Sequence, residues 1–221
     1  MPVETQKADQ DSIAAQADAS RTPAATAARQ SSTAQISSVL ALAISVLALA
    51  VGTYQTRVMQ AQARASVWPY LTVGFSHFGA GDNAGFTWQI DNNGVGPAKI
   101  EAVTLSLDDK PMRSWKEVYA ALGLEGHDYV ITASVNGEVL PPNTNRETTI
   151  RAIQINRQIA ADEPGKARQQ KAIDAFFAAS GRFKMSVCYC SVYDECWTAQ
   201  WLKRTAQPVT RCEANGVQFD Q

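Results

Sequence analysis

The chain has 221 residues, of which 45% are hydrophobic, so it is long enough for one ordinary domain with its own core plus appendages. Its 20 basic residues stand against 21 acidic ones and give a formal net charge of −1. This balance excludes the strong positive field that nucleic-acid binding usually requires, so we expect no nucleic-acid partner.

The N-terminal segment, residues 1–35, differs in composition from the rest. It contains ten alanines and five glutamines and has no aromatic residue. Such a stretch buries too little apolar surface to offset the entropy lost on ordering. We therefore predict a disordered cytoplasmic tail over residues 1–35.

An apolar run, ISSVLALAISVLALAVGTY, occupies residues 36–54. A helix of this length spans roughly 28 Å at about 1.5 Å per residue, close to the thickness of the hydrocarbon core of a bilayer. A buried soluble helix seldom stays apolar all round, and a cleavable signal peptide begins with a short basic leader rather than a long polar segment. The run predicts a single transmembrane helix that contacts lipid, with small residues that allow a homo-oligomer.

The helix is expected to continue over residues 55–68, which hold good helix formers and no breaker before Pro69. The positive charges nearest to the apolar run balance across it: Arg21, Arg29, Arg57 and Arg64. They do not orient the helix. A single N-terminal span ahead of a folded domain is typical of an uncleaved signal anchor, so we expect the domain outside the cytoplasmic membrane.

Residues 69–221 read as mainly β. Seven stretches rich in β-branched or aromatic residues are separated by turn signals: 70–77, 85–92, 98–108, 128–135, 146–155, 181–192 and 196–204. Helical patterns interrupt them at 114–126 and 164–180. We predict an immunoglobulin-like antiparallel β-sandwich with helical insertions.

Local patterns add detail to this domain. The apolar residues of the second helical insertion fall on one face expected to pack on the sandwich: Ala172, Ile173, Phe176 and Phe177. VNGEV, residues 135–139, predicts a tight hairpin. GAGDNAG, residues 79–85, joins two predicted strands and does not open a helix, so it is interpreted as a turn rather than a phosphate-binding loop.

Three of the four cysteines lie within CYCSVYDECW. Cys188 and Cys190 are two apart on a predicted strand, so their side chains share a face. If the intervening VYD forms a three-residue loop, Cys190 stands opposite Cys196 at a separation that a disulfide bridges. We prefer Cys190 with Cys196 and Cys188 with Cys212, although four cysteines allow three pairings and the sequence does not select among them.

Other interpretations of the cysteines remain open. The spacing lacks the paired C-x2-C knuckles of structural zinc sites and the C-x-x-C of thiol redox centres. Free thiols in a domain that faces the cytoplasm are a further alternative. An even number of cysteines, all outside the apolar run, favours disulfides in an oxidising compartment.

Catalytic signatures are missing from the sequence. His77 and His127 belong to no metal-binding or catalytic spacing, and no nucleophile elbow, phosphate loop or dinucleotide fingerprint occurs. Scattered carboxylates lack calcium-loop spacing: Asp91, Asp108, Asp109 and Asp194. The tryptophans are assigned no individual binding role: Trp68, Trp88, Trp115, Trp197 and Trp201. We predict no enzyme activity, metal or cofactor.

Four stretches, ASVWPYLTVGF, NNGVGPAKI, VLPPNTNRETT and CYCSVYDECW, together resemble an uncharacterised family of bacterial proteins. Each member has a short tail, one membrane helix and a sandwich-like domain, and the resemblance covers roughly residues 36–205. It implies a bacterial, membrane-bound protein. Together with the signal-anchor orientation above, this leads us to expect a single-pass protein of the bacterial cytoplasmic (inner) membrane, with the domain periplasmic or extracellular. It brings no assigned reaction.

Two classes of function follow from these features. The first is a membrane-anchored, non-catalytic binding or assembly module with a protein partner outside the membrane. The alternative is a cysteine-based metal or redox sensor that faces the cytoplasm, or an accessory subunit of a larger membrane complex.

Overall fold

The computed structural model describes residues 23–124, 130–145, 147–213 and 216–220. The chain divides into two units, Met1–Ala61 and Gln62–Gln221. Three α-helices occur in the described residues: α1 Pro23–Ser66, α2 Trp115–Ala121 and α3 Glu163–Ala179. The strands are β1 Leu71–Phe78, β2 Gly85–Asn92, β3 Ala98–Leu107, β4 Lys110–Met112, β5 Val130–Thr132, β6 Val139–Leu140, β7 Ile150–Asn156, β8 Phe183–Cys190, β9 Cys196–Gln200 and β10 Gln207–Val209.

Helix α1 starts at Pro23 rather than at Ile36, so it includes part of the segment predicted as a disordered tail. Alanine, glutamine and arginine are strong helix formers, and proline suits the first turn, where its missing N–H has no partner in any case. Residues 1–22 of the predicted tail lie outside the described part of the chain. The stretch Gln35–Ser66 is long and apolar enough to cross a membrane.

The strands form two antiparallel sheets, which confirms the predicted mainly β, immunoglobulin-like sandwich. One sheet has the order β1-β2-β7-β5, and the other has the order β10-β9-β8-β3-β4 with β6 added alongside β3. Each of the seven predicted stretches overlaps a strand. The three strands that the sequence did not predict, β4, β6 and β10, have two or three residues each and so carry no periodic signal.

The core lies between the two sheets and extends under α2 and α3. Trp88 is fully buried on β2 and meets Phe183 and Trp201 edge-on. Phe176 of α3 is also fully buried, but Phe177 is 48% exposed. The buried apolar face of α3 is therefore narrower than the sequence pattern predicts, and Phe177 lies at its edge.

The prediction of a hairpin at VNGEV is wrong. Strand β5 before it pairs with β7 in one sheet, whereas β6 after it pairs with β3 in the other. The segment does turn, with Gly137 at φ 78°. It carries the chain from one sheet to the other, because each flanking strand finds its partner far away in sequence.

Candidate functional site

The candidate site is the end of the β8–β9 hairpin where the cysteines gather. The Ser191 N–H donates to the carbonyl of Glu195 at 2.8 Å and closes a three-residue loop. The last residue of that loop, Asp194, has φ 57°, as expected for a type I turn followed by a left-handed residue. This geometry places Cys190 opposite Cys196.

The four sulfur atoms form two pairs at bonding distance. Cys188 and Cys212 are joined with a sulfur–sulfur distance of 2.08 Å, and Cys190 and Cys196 with one of 2.05 Å. These are the two pairs preferred from the sequence. Strand β10 brings Cys212 here, because it pairs with β9 and sets Val209 opposite Cys196.

The two disulfides are in contact with each other. The Cys190 and Cys212 sulfurs, which belong to different bridges, lie 3.8 Å apart. Together with the sulfur of Cys196 they form a group whose members lie within 4.8 Å of one another. Cys190 and Cys196 are 5% and 7% exposed, whereas Cys188 and Cys212 are only half-buried.

Ion pairs flank the loop between Cys190 and Cys196. Lys99 on β3 donates to the Asp194 carboxylate at 3.1 Å, and this hydrogen bond holds the pKa of Lys99 above its ordinary value. Arg64, in the last turn of α1, lies 3.3 Å from Glu195. Two ion pairs therefore restrain the loop, one with Lys99 on β3 and one with Arg64 at the end of α1.

A buried asparagine organises the segment that follows α1. Asn92 is fully buried, and its side-chain amide hydrogen-bonds backbone groups of five residues: Tyr70, Gly94, Gly96, Leu140 and Pro141. A Cβ at Gly96 would lie 1.8 Å from the carbonyl oxygen of Val67. Gly96, the second glycine in the NNGVGP turn, is thus required because the backbone of another segment approaches closely there.

The other residues considered in the sequence analysis do not join this site. His77 is exposed on β1 and stacks on Phe177 at 4.5 Å, and His127 lies outside the described residues. The four carboxylates each bond a separate partner: Asp91 with Thr149, Asp108 with Arg182, Asp109 with Lys184 and Asp194 with Lys99. They therefore do not converge on one cation position.

The tryptophans mostly support the core. Trp88 and Trp115 are buried, Trp197 and Trp201 pack against the core while partly exposed, and Trp68 is 47% exposed. The buried Tyr189 also has a structural role. Burial raises the pKa of Tyr189 to about 12, and its hydroxyl accepts a hydrogen bond from the Leu71 N–H at 3.3 Å.

Sequence reasoning missed the contact between the bridges, the Arg64–Glu195 pair and the role of Asn92. The first two join residues from distant parts of the chain and leave no local signal. The asparagine stands at the start of the glycine-rich NNGVGP turn, which is the one clue that could have singled it out.

These features define a class of protein: a mainly β, two-sheet domain with two disulfide-distance cysteine pairs, preceded by a helix long and apolar enough to span a membrane. A family model described as "Domain of unknown function (DUF8453)" matches residues 33–203, and the chain belongs to this family. The match includes Cys188, Cys190 and Cys196 and ends before Cys212. No curated protein and no solved structure matches the chain.

Proposed function

We propose that this protein is a membrane-anchored, non-catalytic binding or assembly module, with its sandwich displayed outside the cytoplasmic membrane of a bacterium. The observation that carries the proposal is that one chain combines a long apolar helix with a domain whose four cysteines are all paired. The helix supplies the anchor. The paired cysteines favour an oxidising compartment, where disulfides persist.

Membrane insertion through residues 36–54 is supported by the surface of α1. Its apolar side chains are uncovered, with Leu42 66% and Leu47 64% exposed. Polar groups within the apolar run are satisfied by the helix itself, since the Ser45 hydroxyl donates to the Ala41 carbonyl at 2.8 Å and Thr53 does the same to Ala50. In lipid an unsatisfied polar group would cost several kcal/mol.

A binding role is favoured over catalysis by how four carboxylates and the Tyr189 hydroxyl are used. The carboxylates considered above are engaged in hydrogen bonds or ion pairs, and the buried Tyr189 hydroxyl bonds a backbone amide. These groups stabilise the fold, and their hydrogen-bonding capacity is used within the protein and not for a substrate. The partner we expect is a protein or envelope component on the outer side, or a second copy of this chain.

A topology experiment tests the proposal. A reporter enzyme that is active only outside the cytoplasm is fused after Gln221, and the same reporter is fused after Gln35, ahead of the apolar run, as a control. We expect activity from the first fusion, silence from the second, and the full-length chain in the membrane fraction. A silent full-length fusion with an active cytoplasmic reporter at the same position would overturn the outward orientation.

The alternative function, a cytoplasm-facing metal or redox sensor, is favoured by one observation. Three sulfurs lie within 4.8 Å of one another, close enough for reduced thiolates to share a soft metal ion. Alkylation of the purified protein without reductant, followed by mass spectrometry, separates the two functions. Four unmodified cysteines support the outward module, whereas four alkylated cysteines after metal chelation support the sensor.

The proposed anchor helix also allows this protein to be a subunit of a larger membrane complex. Small residues such as Ala41, Ser45 and Gly52 allow close packing of α1 against another helix. Cross-linking in intact membranes would reveal an accessory-subunit role through a reproducible heteromeric band. A purely homomeric band would favour the self-associating module.

A further inference from the structure

The contact between the two disulfides has a chemical consequence. A disulfide exchanges when a thiolate attacks one of its sulfurs, so the reaction depends on access and on the proximity of a thiolate. The Cys212 sulfur lies 3.8 Å from that of Cys190, whereas Cys188 does not belong to the group of three mutually close sulfurs. A thiolate set free on Cys212 would therefore start 3.8 Å from the Cys190 sulfur, and its release from Cys188 would let it swing into line with the Cys190–Cys196 bond.

The bridges also differ in how an external thiol reaches them. Cys190 and Cys196 are more than nine-tenths buried, while Cys188 and Cys212 are half-buried. An incoming thiol meets the Cys188–Cys212 bridge first. The nearest attacking group for the buried bridge is then internal, which gives a strong proximity advantage over a second external thiol.

We propose that Cys190, Cys196 and Cys212 form a thiol–disulfide exchange centre that passes electrons from an external dithiol to the buried bridge. One thiolate of the dithiol attacks the Cys188 sulfur, forms a mixed disulfide and releases Cys212 as a thiolate. Cys212 attacks Cys190, the Cys190–Cys212 bond forms, and Cys196 leaves as a thiolate. The second thiol of the dithiol then releases Cys188 and leaves as a cyclic disulfide.

Over these reaction steps the dithiol gives up two electrons and two protons, and the protein gains them. The protein ends with one new bridge, Cys190–Cys212, and thiols at Cys188 and Cys196. The exchange opens the covalent closure of the loop that carries Asp194 and Glu195. Their ion pairs with Lys99 and Arg64 are then no longer held by the bridge, so the chemistry changes the restraint at the start of the sandwich.

Partial reduction of the full-length protein in detergent tests the exchange. An equimolar amount of dithiothreitol is added, the reaction is stopped with acid at early times, and free thiols are alkylated and mapped. We expect a two-electron intermediate linked through Cys190 and Cys212, with Cys188 and Cys196 alkylated. An intermediate that keeps either original bridge, with the other pair alkylated, would overturn the proposal.

Two matched variants give an independent test. C188S and C212S remove the same bridge and should lose the same stability, but they leave different thiols. Without any reductant, part of the C188S molecules should contain a Cys190–Cys212 bridge and an alkylatable Cys196. When dithiothreitol is added, the Cys190–Cys196 bridge should open about tenfold faster or more in C188S than in C212S. C212S should keep Cys190–Cys196 intact and alkylate at Cys188 alone. Equal behaviour of the two variants, with circular dichroism showing both folded, would exclude the exchange centre.

Discussion

Asn92 joins more parts of the sandwich than any side chain singled out from the sequence. Its amide hydrogen-bonds backbone groups just before β1, in the β2–β3 turn and just after β6. Removing a buried partner leaves those groups desolvated and unpaired, which costs about 1–3 kcal/mol for each group left unsatisfied. The neighbouring Asn93 is exposed, and its side-chain amide donates one exposed hydrogen bond, to the Thr72 hydroxyl.

Asn92→Ala is therefore expected to lower the free energy of unfolding by about 3 kcal/mol or more. Asn93→Ala is the matched control and should stay within about 0.5 kcal/mol of the parent. Denaturant titration of the full-length chain in detergent, followed by tryptophan fluorescence, measures both. Equal unfolding midpoints for the two variants would contradict the assigned role.

Gly96 is the second position where one residue decides local structure. A Cβ there would overlap backbone atoms of Val67. Backbone atoms cannot move aside as the end of a flexible side chain can. Gly96→Ala should cost about 3 kcal/mol or more, at the upper end of overpacking effects. Gly181→Ala, where a Cβ meets nothing within 4 Å, is the control and should leave the melting temperature nearly unchanged.

At the scale of elements, the β8–β9 hairpin shows how short-range and long-range constraints combine. The Cys190–Cys196 bridge spans 6 residues and reinforces a loop that backbone hydrogen bonds already close. The Cys188–Cys212 bridge spans 24 residues and fixes the C-terminal segment to β8. The longer loop loses more entropy when it is closed in the unfolded chain.

Replacing both cysteines of a bridge with serine should reflect this difference. The Cys188→Ser/Cys212→Ser pair is expected to cost about 3 to 4 kcal/mol, and the Cys190→Ser/Cys196→Ser pair about 2 to 3 kcal/mol. Thermal and denaturant unfolding of the two double variants gives the comparison. A larger loss for the short loop would show that native-state packing, not loop entropy, dominates.

At the scale of the whole molecule, the proposed membrane location depends on α1, which is long and apolar enough to cross a membrane. Its uncovered apolar side chains have no partner among the described residues of Met1–Ala61, so lipid is the environment that suits them. An arginine near the centre of a spanning helix costs about 2.5 to 3.5 kcal/mol on insertion scales. Arginine substitutions in α1 therefore test the proposed anchor directly.

Leu42→Arg combined with Leu47→Arg should move most of the chain out of the alkali-resistant membrane fraction. Gln60→Arg combined with Gln62→Arg adds the same two positive charges outside the apolar run and should leave the distribution unchanged. Immunoblots of washed membranes and supernatants measure the outcome. Retention of the double variant to the same extent as the control would show that α1 does not anchor the chain.

The sequence by itself determined the features that depend on neighbouring residues. The apolar run, the seven main strand stretches and the three-residue loop between Cys190 and Cys196 follow from composition, periodicity and turn chemistry over a few residues. The same reasoning misjudged Phe177, because the width of a buried helix face depends on what packs against it.

The tertiary structure decided what depends on chain segments that are distant in sequence. It placed β5 and β6 in different sheets, brought the Cys212 sulfur against Cys190 and gave Asn92 its five backbone partners. Such contacts depend on strand register and sheet order, which are set by the packing of the whole core. A pattern over a few residues does not predict these contacts, because the two partners of each contact come from different segments of the chain.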